Sequence, residues 1–163
     1  MDDMVDARDP TPPSPGPPDV PEGVLEPVQA RREALQTVAT NLERSLAEPS
    51  DTPQWREGVQ AAAAAVDHAL TRHVSSNLET DGLLPTVVEA APWLSGPADR
   101  LGVEHIDLAE RTAALVALAA DPQAPPEAVR DAAADLTARL LRHVQHAHDL
   151  LYDAFESDLG GSD

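Results

Sequence analysis

The 163-residue chain contains no cysteine and no lysine, and only 2% of its residues are aromatic. Without cysteine, the protein has no disulfide, no thiolate metal ligand and no thiol nucleophile. The scarcity of aromatics leaves leucine, valine and alanine to fill a core, and leucine and alanine favour helices over strands. These absences predict an all-α protein whose chemistry depends on other side chains.

Positive charge is also scarce, because 11 arginines stand against 29 acidic residues and the formal net charge is −18. Nucleic acids are polyanions that proteins bind through lysine and arginine, so we expect no nucleic-acid partner. A basic partner protein suits this charge, since opposite charges accelerate encounter.

Long hydrophobic runs are missing as well. The longest, near residues 112–120, has about half the roughly 20 residues that a membrane-spanning helix needs. The amino-terminal sequence MDDMVDARDP lacks the basic and apolar segments of a signal peptide. We therefore expect a cytoplasmic protein with no membrane partner.

The first 27 residues differ from the rest in composition. Residues 1–27 hold eight prolines and seven acidic residues but little apolar material. Such a segment buries too little surface to offset the entropy lost on ordering. The sequence predicts a disordered acidic tail over residues 1–27 and a folded domain over residues 28–161.

Four amphipathic segments follow the tail, each with apolar residues every three or four positions. Prolines and glycines separate them, and a stretch at 83–94 is predicted to be either a short helix or an irregular connection. Four helices of twenty or more residues with short connections predict an antiparallel up-down four-helix bundle. The predicted helices span about 26–47, 53–79, 98–120 and 126–159.

Three histidines occupy apolar stripes, and each lies on a different predicted helix: His73, His105 and His143. Neutral imidazole binds iron, zinc and copper, and the interior of a bundle can bring ligands from facing helices together. The alternative is a set of hydrogen-bonded core histidines. Glu104 is either a carboxylate that orients a ligand or a solvated side chain, and His146 is either an outer partner or an extra ligand.

Three stretches resemble the hemerythrin/HHE cation-binding family: RHVSSNLETDGLLP (72–85), LGVEHIDLAER (101–111) and LLRHVQHAHDLLYDAFESDLGG (140–161). The resemblance implies a bundle that holds a mono- or dinuclear non-haem iron centre, while imidazole and carboxylate ligands by themselves also suit zinc or manganese. It implies O2-linked sensing, storage or redox chemistry and leaves open whether the protein is an enzyme. The metal ligands that it implies are His73, Glu79, His105, His143 and Asp149.

The sequence departs from the family pattern at several positions. The first helix has no histidine, and Asn77 and Ala147 stand four residues after a histidine, where a carboxylate is expected. Glu79 and Asp149 each follow a histidine by six residues, so they need a local bend or π-bulge to reach the same face. The spacing indicates either a subfamily geometry or a degenerate, metal-free bundle that serves as a protein interaction or scaffold module.

Overall fold

A computed structural model describes residues 25–50, 52–78 and 82–155. The described residues form helices and connecting turns and contain no strand, which confirms the prediction of an all-α fold. A 3-10 turn at Pro92–Leu94 joins the third helix to the fourth. The five α-helices are α1 (Leu25–Ala47), α2 (Pro53–Leu78), α3 (Leu83–Ala90), α4 (Ser95–Ala120) and α5 (Pro126–Phe155).

The helix limits differ from the sequence prediction in two places. The fifth helix, α3, occupies the stretch for which the sequence left a short helix or an irregular connection open, and α4 starts three residues earlier than predicted. The predicted tail over 1–27 lies outside the described residues except for its last three positions, which form the start of α1.

Local sequence explains where α2 begins. Pro49 and Pro53 cannot continue α1, since proline lacks the backbone N–H that an interior helical position donates. The Thr52 Oγ1 accepts a hydrogen bond from the Trp55 backbone N–H at 3.3 Å, which satisfies one of the free donors in the first turn of α2.

The four long helices pack around one shared interior. α1 packs against α2 and α5, α4 packs against the same two helices, and α3 contacts α2, α4 and α5. In the described part of the chain, no helix is both long enough and apolar enough to cross a membrane.

The buried side chains form two hydrophobic clusters. Each fully buried leucine or valine contributes about 1.5–3 kcal/mol relative to an exposed one, so both clusters stabilise the fold. The first cluster includes Leu35, Leu42, Val59, Val66, Leu115 and Leu136. The second includes Leu83, Val87, Leu94, Leu101, Leu150 and Ala154.

Two arginines hold helix ends together beside the first cluster. Arg56, on α2, donates to the carbonyls of Asp121 and Ala124, both at 2.8 Å. Arg130, on α5, donates to the carbonyl of Leu46 in the last turn of α1 and to that of Glu48 just after the helix. The carbonyls at helix C-termini lack partners within the helix, so these contacts satisfy them. We call this region the capped end.

Candidate metal centre

The three predicted histidines form a polar layer between the two hydrophobic clusters. On α4, His105 lies between Leu101 of the second cluster and Leu108 of the first. His73 on α2 and His143 on α5 continue the buried stripes of their helices. The three side chains are buried, at 7%, 4% and 2% exposure respectively. We call these three residues the histidine cluster.

The ring nitrogens of the histidine cluster converge. The His143 Nε2 lies 3.1 Å from the His73 Nε2 and 3.1 Å from the His105 Nε2. The ring centroids are 4.7 to 5.2 Å apart, and one ligand atom from each ring lies within 4.8 Å of the other two. Nitrogen atoms at this separation can bind one metal ion together.

A carboxylate fixes the proton on one of these rings. The Glu104 Oε2 accepts a hydrogen bond from the His143 Nδ1 at 2.8 Å, because a carboxylate only accepts. A neutral imidazole has one N–H, so the Nε2 of His143 carries a lone pair and points it into the cluster. The tautomer of His143 therefore suits a metal ligand.

Hydrogen bonding alone does not satisfy the cluster. The His143 Nε2 has one lone pair but faces two imidazole nitrogens, those of His73 and His105, at equal distance. The Nδ1 atoms of His73 and His105 are buried and have no hydrogen-bond partner. Buried polar atoms without partners are uncommon and costly, so the layer is not explained as a satisfied polar core.

The histidines are neutral near pH 7. The pKa of His73 is lowered from 6.5 to about 3, first by burial and then by electrostatic interactions with His143, His105 and Arg31. Burial and the charge of His143 lower the pKa of His105 to about 4. Burial also lowers the pKa of His143, against the opposing effect of Glu104. Deprotonated imidazole is the form that binds metals.

Glu104 also contacts a second histidine nearer the surface. Its Oε1 accepts from the His146 Nδ1 at 2.6 Å, and the His146 side chain is 46% exposed. Burial raises the pKa of the Glu104 carboxyl, but its contacts with His143 and His146 outweigh burial, so the pKa is lowered. Glu104 is thus an ionised carboxylate that orients His143, which is one of the two roles that the sequence left open.

Asn77 joins the cluster from one turn further along α2. Its side-chain amide lies 2.9 Å from the His73 Nε2, and the side chain is 3% exposed. Rotation of the side-chain amide exchanges its nitrogen and oxygen, so the oxygen can equally face the cluster and serve as a metal ligand. The sequence marked this position only as one where a carboxylate is missing.

Of the two predicted carboxylate ligands, only Asp149 lies in the described part of the chain, and it does not join the cluster. Asp149 is exposed, and its Oδ1 accepts from the Gln145 Nε2 at 2.7 Å. Glu79 lies outside the described residues. Among the residues described, the group suited to a metal therefore consists of three histidines.

The geometry suits one transition-metal ion. With metal–nitrogen bonds of about 2.1 Å, nitrogens 3.1 Å apart subtend roughly 95° at the ion. Two ligand atoms on one ion are at most about 4.2 Å apart, so the 4.8 Å limit requires a ring shift of roughly 0.6 Å or less. Three imidazoles leave coordination positions open, as in catalytic zinc sites.

Comparisons with known proteins add no constraint on this site. No family model, curated protein or solved structure matches the chain. The case for the site therefore rests on its own geometry.

Proposed function

We propose that the protein binds one transition-metal ion through His73, His105 and His143, within an antiparallel four-helix bundle of the hemerythrin type. The observation that carries the proposal is the His143 Nε2, whose single lone pair faces two other imidazole nitrogens at 3.1 Å. A cation at the centre accepts all three lone pairs, whereas hydrogen bonding accommodates only some of them.

The surrounding residues support a ligand role for His143 in particular. Metal-bound histidines usually donate their second N–H to a carboxylate, which fixes the ring and raises its basicity, and Glu104 makes that contact. Asn77 is the nearest described candidate for a fourth protein ligand. Imidazole suits iron, zinc and copper, and the preference for iron rests on the resemblance to the hemerythrin family.

The bound ion would supply open coordination positions for an exogenous ligand and, in the case of iron, a redox couple. Within that proposal, this chain's residues hold the ion between the two hydrophobic clusters and keep His143 in one tautomer through Glu104. O2-linked sensing, storage and redox chemistry all suit such a centre.

Metal analysis tests the proposal. Protein purified without chelator or affinity tag and reconstituted with Fe²⁺ or Zn²⁺ should hold about one equivalent of metal. The triple variant H73L/H105L/H143L should hold none, and E104Q should bind 10–100-fold more weakly, since it loses the ionised acceptor. His68→Leu is the matched control, because His68 is exposed on the same helix as His73.

A wild-type protein with less than about 0.1 equivalent after reconstitution would contradict the proposal, because metal sites of this kind retain their ion. That result would favour a second candidate, a metal-free interaction module. The observation behind this candidate is an apolar pair on the outer side of α4, Val103 and Ile106, which are 66% and 62% exposed. Exposed apolar side chains of this size mark contact surfaces when they are contiguous.

A further inference from the structure

A cavity of about 190 Å³ reaches the histidine cluster from the side of α1 and α5. His73 and Asn77 form part of its lining, so the cavity connects directly to the side chains of the candidate centre. α1 supplies no histidine here. The α1 residues that line the cavity include Arg31 and Arg32 instead.

The charge of this cavity is opposite to that of the protein. None of the described residues that line it is acidic, and two of the 11 arginines border it, although the net charge is −18. Within the described part of the chain, neither Arg31 nor Arg32 forms an ion pair, and the Arg32 Nε is buried without a hydrogen-bond partner. A buried guanidinium N–H without a partner is available to donate to an anion.

The remaining lining divides into a polar and an apolar part. His148 and Tyr152 add polar atoms to those of the arginines, His73 and Asn77. The apolar part comes from side chains that belong to the second hydrophobic cluster or pack against it: Val28, Leu83, Ala147, Leu151 and Phe155. The cavity is thus amphipathic, with cationic and apolar walls.

The volume sets the size of the occupant. An apolar protein cavity of about 150 Å³ takes a benzene molecule, so 190 Å³ suits about eight non-hydrogen atoms. We propose that this cavity binds a small monocarboxylate with a short apolar chain, the size of hexanoate. Arg31 and Arg32 hold the carboxylate, and the chain lies along Val28, Leu151 and Phe155.

This site goes beyond metal binding and does not depend on it. The arginines and the apolar wall are present whether or not the histidine cluster holds an ion. Because Arg31 and His73 line the same cavity, a ligand bound there in metal-loaded protein also alters the surroundings of the ion.

Calorimetric titration with sodium hexanoate, at fixed ionic strength and with chelator present, tests the proposal on the full chain. Hexanoate should bind at least tenfold more tightly than hexanamide, which matches its size without the charge. The variant R31Q/R32Q should lower hexanoate affinity at least tenfold. Arg44→Gln removes an exposed charge from the same helix and should change affinity less than twofold.

A second variant tests the apolar wall. Ala147→Leu extends into the cavity and should weaken hexanoate binding at least tenfold without removing charge. Equal binding of hexanoate and hexanamide, unchanged affinity in R31Q/R32Q, or no binding up to about 10 mM hexanoate would each overturn the proposal. Because the titration with chelator is made on metal-free protein, hexanoate binding there does not depend on whether the histidine cluster binds metal. A failure of the metal proposal and a failure of the carboxylate proposal are therefore distinguishable.

Discussion

The capped end involves all four long helices, whereas the histidine cluster lies on three of them, α2, α4 and α5, and the two regions use the same helical period for different purposes. Around the capped end, buried positions are apolar and include Trp55, and Arg56 and Arg130 satisfy the carbonyls of neighbouring helix ends. In the histidine cluster, the equivalent positions hold imidazoles with two unpartnered ring nitrogens and an adjoining cavity. The comparison indicates that the first region stabilises the fold, whereas the second gives up stability for binding capacity.

The largest expected effect comes from removing side-chain volume near the capped end. Leu136 is fully buried in the first cluster, so Leu136→Ala should lower the free energy of unfolding by about 3 kcal/mol through lost burial and a cavity. Metal affinity of the folded protein should be unchanged, because Leu136 contacts no metal ligand in this proposal. Urea unfolding and metal titration measure the two quantities.

Leu141→Ala is the matched control for that variant. Leu141 is on the same helix and is 43% exposed, so its loss should change the free energy of unfolding by about 0.5 kcal/mol or less. Equal loss of unfolding free energy in the two variants would show that the buried position of Leu136 stabilises the fold no more than the exposed position of Leu141.

A smaller effect is expected where α2 ends near the histidine cluster. A Cβ added at Gly82 would lie 2.6 Å from the Ser76 carbonyl oxygen and 2.7 Å from that of Asn77. The Gly82 φ of −74° is open to any residue, so the conflict is steric. Gly82→Ala should therefore cost about 2 kcal/mol and displace Asn77 from His73, which would also weaken metal binding.

Gly102→Ala should change the free energy of unfolding in the opposite direction. A Cβ at Gly102 meets nothing within 4 Å, and the residue lies inside α4. Alanine is the better helix former there, so this variant should raise the free energy of unfolding by up to about 1 kcal/mol. Chemical denaturation of both variants measures the contrast, and a stable Gly82→Ala protein with intact metal affinity would show that the close approach is dispensable.

The sequence predicted the features that depend on helical period. Spacing alone placed His73, His105 and His143 on buried stripes, and burial of all three confirms that placement. The extent of α3 was left open because residues 83–94 contain two prolines and too few residues for a clear period.

The partners of the histidines were harder to predict. Glu104 precedes a buried residue on α4, and whether its carboxylate reaches His143 depends on the rotation and separation of two helices, which one sequence does not specify. Asn77 had the correct spacing from His73 but the wrong residue type for the family pattern, so its contact was overlooked. Asp149 had a suitable residue type but projects from another side of its helix.

A pH dependence confined to the histidine cluster is expected as well. In metal-free protein the pKa of His73 is lowered to about 3 and that of His105 to about 4, from an ordinary value of 6.5. Below about pH 6.5 the unfolded chain therefore binds more protons than the folded one. The free energy of unfolding is highest above that pH and decreases as the pH falls. Between pH 7 and pH 6, His73 and His105 should each lower the free energy of unfolding by about 0.7 kcal/mol, or by about 1.4 kcal/mol together.

Urea unfolding at pH 7 and pH 6, with chelator present, measures this dependence. The variant H73L/H105L/H143L retains the other titrating groups, so the difference between its pH response and that of the wild type isolates the histidine cluster. The variant should also be as stable as the wild type or more stable at pH 7, since leucine replaces buried polar atoms that lack partners. Identical pH responses would mean that the imidazoles are as well solvated in the folded protein as in the unfolded chain, and the contrast between the two regions would then be lost.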